Sequence, residues 1–220
     1  MKIKRNQWPY LASMAVAILL VIVSFYSISP YSNKKIVEES QAFSIKVDYP
    51  KFSNKKIDAD IKKLIDKNIS IIKAYPAPLA SIPTHYKNTL NITYEKPIIS
   101  DRFISTVFYV LYFTGGAHPS TTVYTNNYDK KSGIRIKLTD VCTIDGKTIA
   151  KIKDTITTDL ISNLNSDGHA DLSWIKNGVN KNRLETFSVS NNRIIFYFQQ
   201  YEVGPYSNGI QRVSIAYPID

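Results

Sequence analysis

An uncharged stretch near the N-terminus sets the strongest limit on how this chain can fold. Residues 6–33 carry no charged side chain, and residues 11–28 within them form 18 positions of almost unbroken apolar sequence. A helix of that length rises about 27 Å, close to the thickness of the hydrocarbon core of a bilayer. We therefore predict one N-terminal transmembrane helix, a membrane anchor over residues 11–29.

The charges around this helix predict its orientation. Three Lys and Arg residues lie within the first five positions, and the next basic residue follows only at Lys34. Since basic segments stay in the cytoplasm, residues 1–10 are a predicted cytoplasmic tail and the bulk of the chain is extracytoplasmic. A cleaved signal peptide is the alternative, although Pro30 after Ser29 disfavours cleavage there. Either way the chain is exported, as a single-pass protein of the inner (cytoplasmic) membrane or in a secreted or periplasmic form.

Two amphipathic helices are predicted from apolar residues that recur at spacings of three and four. The first runs from about Ile57 to Ala74 and is stopped by the prolines at 76 and 78, and the second covers residues 147–164. Residues 165–182 read as a polar loop with a short helical turn near Trp174.

The other patterned segments predict strands, many of them joined by short turns. Short turns imply antiparallel pairing, so the predicted class is α+β, with antiparallel sheet, the two amphipathic helices and the transmembrane helix. Residues 30–41 are a predicted linker, and the first strand is expected to end at Pro50. The predicted strands cover residues 42–49, 89–98, 103–113, 121–128, 134–138, 184–190, 193–200 and 210–217.

Charge indicates the kind of partner, and cysteine content limits the covalent structure. The chain has a net charge of +10, and beyond the N-terminal tail it keeps 25 basic against 18 acidic residues, a net charge of +7. Such a surface favours anionic lipid or cell-wall polymers, and an exported chain is not expected to meet nucleic acid. The single cysteine, Cys142, rules out an intramolecular disulfide and reads as a small buried apolar residue. The oligomeric state stays open.

The sequence carries no familiar catalytic, phosphate-binding or metal-binding motif. His85, His118 and His169 are far apart and lack the short spacing of zinc ligands. The segment with Asp167, His169 and Asp171 resembles a polar surface loop more than an acid-base site. We therefore predict no catalytic residue, no metal and no cofactor.

Two segments stand out as candidate binding sites. In the first, a predicted strand runs into Gly115 and Gly116, just before His118; two glycines allow a sharp turn or a close approach to the backbone. In the second, an aromatic strand leads into a loop with Tyr201, Glu202 and Tyr206. Exposed aromatic residues are common anchors for ligands. The alternative for the first segment is a purely structural corner, and for the second a loop that packs on its own sheet.

Together the segments carry a family resemblance. Gly-Gly-Ala-His at 115–118, a following hairpin and helix, and Tyr-Glu-Val-Gly-Pro-Tyr at 201–206 resemble the RsiV-like extracytoplasmic domain. Residues 43–72 resemble the module that usually precedes it, named after the peptidoglycan deacetylase PdaC. The resemblance implies an α+β cell-envelope domain, found on lysozyme-binding anti-sigma factors and ahead of polysaccharide deacetylases. It divides the chain into a PdaC-type module at 42–115 and an RsiV-like domain at 116–220.

From this we predict a non-enzymatic binding module of the cell envelope. Its partner is a cell-wall glycan or a lysozyme-like protein, and the candidate binding residues are His118, Tyr201, Glu202 and Tyr206. Two alternatives stay open: a peptidoglycan hydrolase or deacetylase that uses His118, and a structural protein that contacts anionic lipid. A closed pocket that pairs His118 with a carboxylate would favour the enzyme, and an open rim would favour binding. With so short a cytoplasmic tail, no sigma-factor signalling is expected.

Overall fold

The computed structural model describes residues 29–76, 86–165 and 170–217. The chain divides into a unit at Met1–Ser32, nearly all of which lies outside those residues, and a second unit at Asn33–Asp220. The predicted cytoplasmic tail, and the predicted anchor apart from Ser29, therefore lie outside the described residues. Within the three described ranges, none of the helices has both the length and the apolar composition needed to cross a membrane.

The fold is α+β, with mainly antiparallel sheets. In the described ranges there are nine strands, four α-helices and a short 3₁₀ helix at Tyr206–Asn208. The order is β1 Ser32–Glu39, β2 Phe43–Lys51, α1 Lys55–Ala74, β3 Asn88–Tyr94, β4 Ile98–Ile99, β5 Phe103–Phe113, β6 Ser120–Asp129, α2 Leu138–Val141, α3 Gly146–Leu164, α4 Leu172–Lys181, β7 Phe187–Val189, β8 Arg193–Phe198 and β9 Gln211–Ala216.

The strands form two sheets in the described part of the chain. Six strands build the first, in the order β1-β2-β3-β5-β4 with β6 also paired to β5, and β7-β8-β9 build the second. One pair, β2 with β3, is parallel, because α1 carries the chain back across the sheet between them. The other pairs that involve β3 to β9 are antiparallel, as the short turns predict.

Four local expectations need correction. The predicted linker at 30–41 contains β1, and β2 continues through Pro50, whose missing N–H breaks no bond of the β2–β3 ladder because that ladder ends at Val47. Residues 134–138 contribute one isolated bridge, between Arg135 and Tyr128, instead of a strand. The polar segment after α3 contains α4, a helix of ten residues.

The first sheet is covered by α1. Asn54 caps this helix, since its side-chain oxygen accepts hydrogen bonds from the backbone N–H groups of Lys56 and Ile57. The buried face of α1 contacts apolar residues of β2, β3 and β5. Its buried residues, as the helical spacing predicts, include Ile57, Ile61, Ile65 and Ile72, and also the polar Asn68.

The second sheet has a separate core under α3 and α4. Ile152, Ile156 and Leu160 of α3 pack with Ile175 and Val179 of α4 against β7, β8 and β9. A third, small cluster joins the two sheets and consists of Val107 in β5, Val123 in β6 and Tyr197 in β8.

Polar side chains of the first sheet also bind the edge of the second. The outward N–H of Phe187 in β7 donates to Thr125 Oγ1 at 3.1 Å, and its carbonyl accepts from Asn127 Nδ2 at 2.7 Å. Two residues on, Ser105 Oγ lies 3.0 Å from both the N and the O of Val189. These contacts satisfy backbone groups that an uncovered edge strand would leave open. They also fix the second sheet relative to the first.

Buried tyrosines predict a loss of stability at alkaline pH. Burial raises the pKa of Tyr112 from 10.0 to about 12, and burial also raises the pKa of Tyr109, Tyr128 and Tyr197. Above pH 10 the unfolded chain therefore releases protons that the folded chain retains, so the free energy of unfolding should fall as the pH rises towards 12. Each such group contributes at most about 1.4 kcal/mol per pH unit, and less where it is partly exposed.

Urea titrations at a series of pH values from 8 to 11 measure this slope. Tyr112→Phe removes one of the retained protons and should flatten it. An equal slope in the wild type and in Tyr112→Phe would show that Tyr112 ionises alike in the two states.

Candidate functional site

The loop between β5 and β6 positions His118. Gly115 and Gly116 have φ values of +95° and +105°, a region that favours glycine. At Gly115 an added Cβ would also lie 2.7 Å from the hydroxyl of Tyr86, so the loop needs a glycine there for space as well as for conformation. The turn brings the exposed His118 to the rim of the first sheet, directly before Pro119.

The turn after β8 positions Tyr201. This residue has a φ of +65°, which is rare for a bulky side chain and costs on the order of 1–2 kcal/mol. Glu202 stabilises the turn, since one carboxylate oxygen accepts from the backbone N–H of Gln199 at 2.7 Å and the other from Asn182 Nδ2 at 2.6 Å. The strained turn places Tyr201 at the surface, where the residue is 50% exposed.

His118, Tyr201 and Tyr206 form one cluster, which we call the aromatic triad. The ring of His118 stacks on that of Tyr206, with centroids 3.8 Å apart and planes 24° apart. The Tyr201 ring lies 6.4 Å from His118 and 5.9 Å from Tyr206, centroid to centroid. The triad thus joins the two candidate segments, which are 83 residues apart in the chain.

Hydrogen bonds fix the orientation of the triad. The Nδ1 atom of His118 lies 3.0 Å from the carbonyl oxygen of Pro119, which can only accept, so Nδ1 carries the proton in the neutral ring. Its Nε2 atom then accepts from the hydroxyl of Tyr201 at 3.1 Å. The hydroxyl of Tyr206 donates to the same Pro119 carbonyl at 3.1 Å. All three rings are therefore held in place by hydrogen bonds.

Two glutamines hold the segments together below the triad. Gln200 accepts from the backbone N–H of Thr121 at 2.8 Å. Gln199 binds Val123 twice, accepting from its N–H and donating to its carbonyl, both at 2.9 Å. Their side chains thus bind backbone N–H and C=O groups of β6 in the way that a neighbouring strand would.

Trp174 of α4 borders the triad. Its indole N–H donates to the carbonyl of Tyr201 at 3.0 Å. A cavity of about 310 Å³ next to it is lined by Trp174, Tyr201 and Lys181, among others. A second cavity, of about 320 Å³, is also lined by Trp174, together with Val203 and Pro205 among others. Trp174 therefore lines two cavities, and one of them is also lined by Tyr201 of the triad.

The structure brings together three of the four candidate residues. His118, Tyr201 and Tyr206 share the triad, whereas both carboxylate oxygens of Glu202 are used inside the turn. The sequence reasoning missed the roles of Trp174 and of the glutamines. The adjacent Gln199 and Gln200 at the end of an aromatic strand were the available signal, since long amides there can pair with a neighbouring backbone.

The other candidate groups lie apart from the triad. His85, Asp167 and His169 are outside the described residues, and Asp171 caps α4, with its pKa lowered by a hydrogen bond from the backbone of Trp174. In the described ranges no cluster of His, Cys, Asp and Glu has the geometry to hold a metal ion. Cys142 packs against the second core, and burial raises the pKa of its thiol.

Two family models match the chain. Residues 36–121 match the model described as Deacetylase PdaC. Residues 139–218 match a model described as a protein of unknown function, DUF3298. The RsiV-like designation of the second domain, and the boundary at 115 and 116, stay predictions.

One curated relative and two solved structures show the range of similarity. The chain is 27% identical over 192 residues to the peptidoglycan-N-acetylmuramic acid deacetylase PdaC of Bacillus subtilis, a match over 85% of this chain and 41% of that protein. A DUF3298 family structure from Pseudomonas aeruginosa superposes with a TM-score of 0.61 at 18% identity, covering 86% of this chain and 92% of that one. A second, from Bacteroides fragilis, gives 0.58 at 17% identity, with 85% and 90% covered.

The structural matches establish that the fold extends across both parts of the chain, and the sequence matches assign the parts. The matches thus support a PdaC-type module of cell-envelope proteins at residues 36–121, and residues 139–218 are similar to DUF3298 domains.

Proposed function

We propose that this domain is a binding module of the cell envelope and that the aromatic triad recognises a cell-wall glycan. One observation carries the proposal: three aromatic rings from distant segments form a hydrogen-bonded surface, in which His118 and Tyr201 are exposed and Tyr206 is half-buried. Sugar rings present apolar C–H faces and polar hydroxyl edges. Tyr and His rings match them, since each combines an apolar face with a polar edge.

Strain and preorganisation support a binding role. Tyr201 keeps a left-handed backbone conformation that glycine would adopt without cost, and such strain is found mostly at functional sites. Because the rings are already fixed by Pro119 and by each other, little entropy is lost when a ligand arrives.

Charge and setting favour the same partner. We infer that the N-terminal segment exports the domain, which then carries a net charge of +7. Peptidoglycan bears many carboxylates, so long-range attraction favours its approach. The relative from Bacillus subtilis is named for an activity on peptidoglycan, which supports a cell-wall setting for this chain.

A deacetylase-like activity is the second candidate, and the name of that relative is the observation in its favour. This chain spans only 41% of the relative, so the activity need not reside in the shared part. His118 lies on an open rim, and its ring contacts a phenol and a carbonyl. That geometry favours binding over acid-base catalysis.

Binding to purified peptidoglycan tests the proposal. The full-length protein in a mild detergent should sediment with peptidoglycan in a saturable manner, and Tyr206→Ala should weaken binding about tenfold because the stacked ring is lost. Tyr206→Phe, which loses only the bond to Pro119, should retain most of the affinity.

The matched control is Ile134→Ala, which truncates an exposed apolar side chain beyond the opposite end of β6. Equal binding by Tyr206→Ala and the wild type would contradict the proposal. Parallel arms with lysozyme, and with an assay for acetate release, test the other predicted partner and the second candidate.

A further inference from the structure

A cavity of about 560 Å³ lies apart from the aromatic triad, and no residue of the triad lines it. It opens between β6, the segment that leads into α2, and the segment between α4 and β7. Its volume is within the range of about 300–1,000 Å³ that is typical of small-ligand sites. Its walls combine an apolar floor with a basic rim: Ile136, Leu138, Ile144, Leu184 and Phe187 form the floor, and Arg135, Lys137 and Arg183 the rim.

Two of the three cationic side chains on the rim have no partner for their charge in the part of the chain that the structure describes. Arg135 is already used, since it donates to Thr125 O at 3.3 Å and forms an ion pair with Asp60 at 3.5 Å. In the part of the chain that the structure describes, the charged ends of Lys137 and Arg183 form no hydrogen bond or ion pair. One carboxylate, that of Glu185, also lines the cavity, so the rim is net positive. It is therefore suited to an anion.

Hydrogen bonds hold the backbone at Leu184, which forms part of the floor. Leu184, only 3% exposed, has a left-handed φ of 59°, a costly conformation for a leucine. Its N–H donates to Asn182 Oδ1 at 2.6 Å, and the amide of Asn182 is in turn held by Glu202. This chain of bonds stabilises the strained backbone and places the neighbouring Arg183 next to an apolar surface.

We propose that the cavity binds the end of a short peptide, with its terminal carboxylate on Arg183 and Lys137 and a small apolar side chain on the floor. The guanidinium of Arg183 can pair with both carboxylate oxygens. A polyol phosphate offers an anion of similar charge but no apolar group for the floor, so the peptide is the better match. This inference uses none of the triad residues and stands apart from the proposed glycan binding.

Calorimetric titration of the full-length protein with acetyl-Ala-Ala tests this. The free acid should bind with a millimolar or lower Kd, and its C-terminal amide at least tenfold more weakly, because a charge-assisted pair is lost. Arg183→Gln should weaken binding of the acid about tenfold and leave the amide unaffected. Arg193→Gln, at an exposed arginine that begins β8 and does not line the cavity, is the matched control.

Several results would overturn the proposal. One is equal affinity for the free acid of acetyl-Ala-Ala and for its amide. Another is equal binding of the acid by Arg183→Gln and Arg193→Gln, and a third is no binding of the acid at 10 mM. Tighter binding of glycerol phosphate than of acetyl-Ala-Ala would overturn the assignment to a peptide. Loss of glycan binding by Tyr206→Ala would have no bearing on this test, so the two proposals can fail separately.

Discussion

Gly178→Ala should destabilise the protein by about 3 kcal/mol, although the substitution lies inside a helix. Helix propensity alone predicts the opposite sign, a gain of about 1 kcal/mol. The reason is the close approach of α4 to the turn after β8. An added Cβ would overlap the carbonyl oxygen of Glu202 and lie 2.9 Å from Val203 Cγ1. Backbone atoms cannot rotate away, so the helix or the turn must move.

The same substitution should weaken glycan binding, because the displaced turn carries Tyr201. Trp174 lies on the same helix and bonds to the Tyr201 carbonyl, so any shift of α4 reaches the triad by two routes. Urea unfolding and peptidoglycan sedimentation measure the two effects.

Gly146→Ala is the matched control, since it begins α3 and an added Cβ there meets no atom within 4 Å. We expect no loss of stability or binding in this variant. A Gly178→Ala protein as stable as Gly146→Ala would show that α4 and the turn are not in close contact.

Elements with a strong apolar period could be predicted from the sequence. The predicted helix at 57–74 corresponds to α1, and the one at 147–164 to α3. Apolar residues spaced by three and four lie on one face of a helix, and that face is buried in a core. The strand pairs around Asn191 and around Ser100, β7 with β8 and β4 with β5, also follow from local turns. Both turns are short, and each joins two strands that carry apolar residues.

Three features without a clear local signal could not be predicted. The strand β1 is mostly charged and exposed, and it is a strand only because β2 offers a partner. The helix α4 buries just Ile175 and Val179, too few apolar positions to stand out in a polar segment. Parallel pairing of β2 with β3 follows from where α1 packs, which local spacing does not encode.

The candidate site shows the same division. Aromatic residues and one pair of glycines in the sequence indicate His118, Tyr201 and Tyr206 as candidates. That these rings form one cluster depends on the Gln199 and Gln200 contacts with β6, which are long-range. Glu202 was expected to face a ligand, and nothing local in the sequence indicates that Gln199 and Asn182 occupy its two oxygens.

Asn127→Ala should lower the free energy of unfolding by about 3 kcal/mol, since buried polar partners lose their bonds and a cavity forms. Asn127 is 3% exposed, donates to the carbonyl of Phe187 at 2.7 Å and accepts from Ser105 Oγ at 2.6 Å. It is thus the central link between the edge strand β7 and the face of the first sheet. Urea unfolding, followed by tryptophan fluorescence and by circular dichroism, measures the change.

Asn163→Ala, at an exposed asparagine on α3, is the matched control and should change stability by no more than about 0.5 kcal/mol. A double-mutant cycle of Asn127→Ala with Ser105→Ala should show coupling above about 0.5 kcal/mol, because the two side chains share one network. If Asn127→Ala matches Asn163→Ala in stability, the polar bridge does not hold the sheets together. Non-coincident transitions in Asn127→Ala, against a single one in the wild type, would instead show that this bridge makes the two cores unfold as one.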